Sequence, residues 1–122
     1  MKICITSEGN TLESKVDPRF GRCAYFMIVN TETGQFEVLK NDFAVAGGGA
    51  GIQSGQFMVS NGVKAVLTGN VGPNAFQTLL AAGVEIYTGV SGTIREAVEK
   101  FKSGNLKAEK GPSVDSHFGM NK

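Results

Sequence analysis

Residues 62–104 read GVKAVLTGNVGPNAFQTLLAAGVEIYTGVSGTIREAVEKFKSG, and their alternation decides the fold. Lys64 to Thr68 is short, apolar and β-prone, which predicts a strand. Pro73 to Ala82 follows, with proline suited to a first helical position. Ala75, Phe76, Leu79 and Leu80 recur at helical spacing, so this segment predicts a helix with those four residues on its buried face. Val84 to Tyr87 predicts another strand, and Thr93 to Ser103 another helix. The last helix carries the clearest marks. Thr93 and Glu96 have capping-box spacing, and Ile94, Ala97, Val98 and Phe101 form an apolar stripe. Arg95 with Glu99, and Glu96 with Lys100, are i,i+4 pairs on the polar side. Gly62, Gly83 and Gly104 fall at equal spacing, each just past a helix, where a left-handed residue ends the turn. Alternating strand and helix predicts a parallel sheet with helices packed on it.

Working towards the amino terminus, Ile52 to Ser60 predicts a further helix. Ile3 to Thr6, Ala24 to Asn30 and Gln35 to Lys40 predict three strands. Thr31-Glu32-Thr33-Gly34 is a hairpin-type connection, so the second and third strands should be antiparallel. Towards the carboxyl terminus the periodicity ends near Lys107. Residues 1–106 are expected to form a single domain, and residues 107–122 a flexible tail containing Gly111, Pro112 and Val114 to Met120.

With 122 residues and a net charge of +1, the chain has no broad basic field, which argues against duplex nucleic acid as a partner. No apolar run approaches the ~20 residues that span a bilayer. Met1 to Thr6 reads as a strand with no signal-peptide anatomy, an expectation of a cytoplasmic protein. Cys4 and Cys23 are then expected to be free thiols. Glycine is over-used, with 17 residues against a usual share of ~7%.

In parallel α/β sheets, ligands collect outside the carboxyl ends of the strands. Three glycine-bearing turns fall there: Gly47-Gly48-Gly49-Ala50-Gly51, Gly69-Asn70-Val71-Gly72-Pro73 and Gly89-Val90-Ser91-Gly92-Thr93. Any one of them satisfies a packing need, since tight turns favour glycine. Together they predict an anion-accepting surface of backbone N–H groups at helix starts. Neither a P-loop nor a dinucleotide fingerprint is present.

The segment Asp17-Pro18-Arg19-Phe20-Gly21-Arg22-Cys23 adds two guanidinium forks and a thiol. Flanking arginines predict a lowered pKa for Cys23, which would make it a metal ligand; the alternative is a surface turn with solvated arginines and a buried cysteine. Cys4, between Ile3 and Ile5, reads as a small core residue. His117 is the chain's one imidazole, either a metal ligand or a solvated tail residue. The thiols and histidine lack the spacing of a closed zinc site. Glu8, Glu13 and Asp17 follow the first strand without converging on a metal, and no G-x-S-x-G elbow occurs. A non-enzymatic protein is expected.

The segments DPRFGRCAYF, GGGAGIQSGQ, GNVGPNAF, YTG to GTIREAVE, and SHFGM resemble the dinitrogenase iron–molybdenum cofactor-biosynthesis domain of the NifX/NifB type, over nearly the whole chain and in the same order. The resemblance implies a ribonuclease H-like three-layer α/β fold, with a five-stranded mixed sheet flanked by about three helices. Members bind metal–sulfur clusters or cofactor precursors during nitrogenase assembly, and one related protein carries a molybdenum–copper sulfide cluster. The implied function is a non-catalytic carrier for an anionic cluster, iron–sulfur or molybdenum-containing, working as a monomer with cluster-assembly proteins. Its implied cofactor-binding residues are Arg19, Phe20, Gly21, Arg22, Gly48, Gly49, Gly51, Asn70, Gly72 and Asn74, with Cys23 and His117 as metal ligands. One departure concerns Arg19, which stands where relatives often have histidine before Phe-Gly; His117-Phe118-Gly119 offers an imidazole from elsewhere. Two rival readings use the same turns: a module for phosphate-containing metabolites, and a protein-interaction module.

Overall fold

Lys2–Ser7 (β1) is buried on both faces from Ile3 onward and forms the centre of the sheet. The computed structural model describes residues 1–43 and 50–109. Tyr25–Asn30 (β2) lies antiparallel to β1, and Phe36–Lys40 (β3) antiparallel to β2. Val63–Leu67 (β4) is parallel to β1, and Glu85–Tyr87 (β5) parallel to β4. The order is β3-β2-β1-β4-β5, the five-stranded mixed sheet expected of a ribonuclease H-like arrangement. Four strands therefore end at one edge, where β2 begins.

Alternation along the strands divides the core in two. Cys4, Phe26, Ile28, Val66 and Ile86 pack beneath Ala50–Ser60 (α1) and Pro73–Ala81 (α2), with Met58, Ala75, Phe76 and Leu79 supplying the helical side. Ile3, Ile5, Met27, Val29, Ala65 and Leu67 pack beneath Ile94–Lys102 (α3), through Ile94 and Ala97. Thr93 and Glu96 form the expected capping box. Gly62, Gly83 and Gly104 all have positive φ. Element ends differ from the sequence expectations by one or two residues, as helix and strand termini commonly do.

Two expectations are corrected. Leu80 is 53% exposed rather than part of the α2 core face. Ala75, Phe76 and Leu79 span about 100° of the helix, and Leu80 falls about 40° beyond Phe76, outside that arc. Arg95, expected to pair with Glu99, makes its close ion pair with Glu13 instead, at 2.7 and 3.3 Å, strapping α3 to the loop after β1, while Glu99 acts on it through its charge. Beyond α3, the Glu109 N–H donates to the Ile86 carbonyl and Thr88 Oγ1 donates to Glu109 Oε2, so the chain returns beside β5. Residues 110–122, which include His117, lie outside the described residues.

Candidate functional site

The connection after β1 turns towards β2, whereas the connection after β4 turns towards β5, so the switch point of the sheet lies between β1 and β4. The chain fills this crevice itself. Asp17 N–H donates to the Thr6 carbonyl at 2.8 Å, and Thr6 Oγ1 donates to the Asp17 carbonyl at 2.7 Å. The Thr6 and Thr68 hydroxyls lie 2.7 Å apart, and all three residues are buried. The expected site is thereby moved one layer outward, onto the residues that follow Asp17.

Those residues are laced to the turn after β4. Asn70 N–H donates to the Pro18 carbonyl at 2.7 Å, and Phe20 N–H donates to the Asn70 carbonyl at 3.1 Å, giving a parallel bridge between Arg19 and Asn70. Close approach demands glycine here: a Cβ at Gly69 would lie 2.6 Å from Pro18 Cα. A second demand falls on Gly21, which has φ +92° and whose Cβ would lie 3.2 Å from Gly51 Cα. Gly51 in turn abuts Ala75, so it sits where the loop, α1 and α2 meet.

Phe20 turns inward, with its ring 6.1 Å from that of Phe26, which continues the aromatic contact to Phe57 and Phe43. It anchors the loop through buried apolar area. Arg19 and Arg22 turn outward. The Arg19 side chain is 65% exposed, with Nε 3.5 Å from Asp17 Oδ1. Asn70 and Asn74 are exposed nearby in the chain, and Gly72 is the N-cap of α2, with no side-chain cap for its first N–H groups.

Cys23 is wholly buried, and its expected pKa shift is reversed. Burial pushes the thiol up to about 12 and the Asp17 charge adds to this, outweighing hydrogen bonds from Asn41 and from the Cys23 and Gly21 backbones. The two arginines neighbour Cys23 in sequence, yet their side chains face solvent. Cys4 is likewise buried, raised well above the ordinary thiol range by desolvation and then by Cys23. Both cysteines are free thiols.

Asn41, which follows β3, was not among the sequence candidates. Its Nδ2 donates to the Gly21 carbonyl at 3.1 Å and the Cys23 carbonyl at 2.9 Å, and its Oδ1 accepts from Phe43 N–H at 2.9 Å. A strand followed by Asn-Asp signals a turn, but not these partners.

The structure thus brings together Arg19, Phe20, Gly21, Cys23, Gly51 and Asn70, with Arg22 on the same loop, Gly72 at the N-cap of α2 and Asn74 in the first turn of that helix. Gly48, Gly49 and His117 lie outside the described residues. Among the described residues, no group of three or more His, Cys, Asp or Glu side chains could hold a metal ion. A groove of about 210 Å³ lined by Lys2, Ile28, Asn30, Gln35, Phe36 and Glu37 lies at the opposite end of the sheet, away from these loops.

These features define a small three-layer α/β domain whose functional candidates sit on loops at the carboxyl edge of a mixed sheet. Residues 1–104 match the dinitrogenase iron–molybdenum cofactor family, and the chain belongs to that family. An uncharacterised protein of Methanocaldococcus jannaschii is 32% identical over 110 residues, covering 88% of this chain and 90% of the relative. The apo form of the orange protein from Desulfovibrio gigas superposes with a TM-score of 0.89 at 39% identity, covering 92% of this chain and 95% of that one. A Thermotoga protein put forward as a NifB protein superposes with a TM-score of 0.77 at 44% identity, covering 88% and 91%. No helix among the described residues is long and apolar enough to cross a membrane.

Proposed function

We propose that this chain is a non-catalytic carrier for an anionic metal–sulfur cluster or nitrogenase-type cofactor precursor, taken as cargo at the edge bearing Arg19, Arg22, Asn70 and Asn74. The observation that carries the reading is the exposed Arg19 guanidinium on a loop that backbone hydrogen bonds fix to the turn after β4. A guanidinium held in place can fork an anion without first paying to order its loop. Membership of the cofactor family supports a cluster as that anion, and similarity to a protein solved as its apo form supports a removable cargo. Gly48, Gly49, Gly51 and Gly72 would add backbone donors. Ligation by Cys23 requires the loop to open and the thiol to lose its proton; His117 is the imidazole of the same proposal. We place the carriage in the cytoplasm, by a monomer that exchanges cargo with cluster-assembly proteins.

Anaerobic reconstitution with iron and sulfide, or with thiomolybdate, should give a charge-transfer band and a defined metal stoichiometry. Arg19→Ala combined with Arg22→Ala should abolish both. Protein that stays colourless and metal-free under all these conditions sinks the proposal.

A further inference from the structure

Asn41 commits its whole carboxamide. Two Nδ2–H donors serve the Gly21 and Cys23 carbonyls, the one Oδ1 serves Phe43 N–H, and the backbone N–H donates to the Ala24 carbonyl at 3.0 Å. The two carbonyls it holds flank Arg22. Drawing both inward fixes the Gly21–Arg22 and Cys23–Ala24 peptide planes, which bracket that residue, and Gly21 and Cys23 are buried while Arg22 is exposed between them. The other half of the loop, Pro18 to Phe20, is held by the Asn70 backbone and amide and by the Asp17 carboxylate, which accepts the Arg19 N–H. Among the described residues the loop therefore has two clamps, and the one at Gly21 and Cys23 runs through the Asn41 side chain.

We infer that Asn41 is a positioning residue that holds Arg22 in register with Arg19 for an anion bound at this edge. The inference rests on the carrier reading. Asn41 touches no cargo; it acts through the loop by removing conformations that would turn Arg22 away. Its carboxamide is more than a local turn former, since the bonded carbonyls lie on a separate segment of chain.

The test uses the full chain, with Asn41→Asp as the main variant. Asp matches Asn in shape and keeps the acceptor for Phe43, but loses both donors. Tetrathiomolybdate is titrated into wild type, Asn41→Asp, Arg22→Ala and the double variant, while amide exchange is followed at Arg22 and in β1. The Arg22 amide donates to the Arg19 carbonyl, so it reports the loop itself. Expected are intact β1 protection, faster Arg22 exchange and an affinity weakened about tenfold by Asn41→Asp, with little further loss when Arg22 is already Ala. Equal losses in both backgrounds, or no loss in a folded Asn41→Asp protein, overturn the inference. If Asn41→Asp does not fold, Asn41→Ser retains one donor and should give an intermediate loss in the same cycle. Wild type that takes up neither thiomolybdate nor an iron–sulfur cluster defeats the carrier reading; Arg22 exchange then decides the role of Asn41, which fails if that amide is unchanged.

Discussion

Asp17 Oδ1 accepts the Arg19 N–H at 3.1 Å and lies 3.5 Å from Nε of the same residue, so a carboxylate only 6% exposed holds a guanidinium that is 65% exposed. The contact through Nε leaves the terminal nitrogens as the outward fork. Beneath, the same negative charge helps keep the Cys23 thiol protonated. One buried carboxylate thus acts on the charge-bearing surface and on the sulfur below it.

Asp17→Asn separates these effects. The amide oxygen can still accept the Arg19 N–H, but the charge is gone. The Cys23 pKa should fall from about 12, yet stay above the ordinary thiol value because desolvation is the larger cause. Following the Cys23 ¹³Cβ shift against pH in both proteins checks this, and superimposable titrations would remove Asp17 from the account.

Both buried thiols make stability depend on alkaline pH. Each folded-state pKa is raised above its unfolded value of ~8.5, so the stabilisation is fully present below that pH and is lost as pH rises towards the folded values. Unfolding free energy should decline above about pH 8.5, by at most ~1.4 kcal/mol per pH unit for each thiol. Urea unfolding from pH 7 to 11 should show a shallower decline in Cys23→Ala than in wild type. Parallel curves would count against a neutral, buried Cys23.

Thr93→Ala tests the best-marked local signal. It removes the acceptor for Glu96 N–H and half of the capping box, at a cost of about 1 kcal/mol. Urea midpoints compared at constant m-value measure it, and a loss below a few tenths would mean that the strap from Glu13 and the Leu12–Ser14 backbone holds the helix start without the cap.

What could be read from sequence follows the range of the interactions. β1 to β5 and α1 to α3 were legible because alternation, caps and turn glycines act over a few residues, and the domain was recognisable from its ordered motifs. Asn41 was not legible, since its carboxamide bonds to Gly21 and Cys23 across the sheet edge. Nor was the Glu13–Arg95 pair, which joins opposite ends of the chain. Cys23 misled for a related reason: adjacency to Arg19 and Arg22 suggested a thiolate, whereas the turn at Gly21 sends arginines and sulfur to opposite sides. Gly51 entered as a ligand-facing residue, and its surroundings add a packing constraint between Gly21 and Ala75.

Gly69→Ala connects that packing to the site. The new Cβ would meet Pro18 Cα at 2.6 Å and the Pro18 carbonyl oxygen at 2.8 Å, and both are backbone atoms that cannot swing aside. The loop must move off the turn, breaking the Asn70–Pro18 and Phe20–Asn70 bonds, with an expected destabilisation of about 2–3 kcal/mol. Gly34→Ala provides the contrast. It has φ +78° but nothing within 4 Å, so it should cost only about 1 kcal/mol through backbone strain. Urea unfolding compares the two, and amide exchange at Phe20 locates the damage. Gly69→Ala should release the Phe20 amide and weaken thiomolybdate uptake, whereas Gly34→Ala, on the β2–β3 hairpin at the far end of the sheet, should leave both unchanged. Equal effects of the two substitutions on Phe20 would show that close approach at Gly69 is not what holds the arginine loop in place.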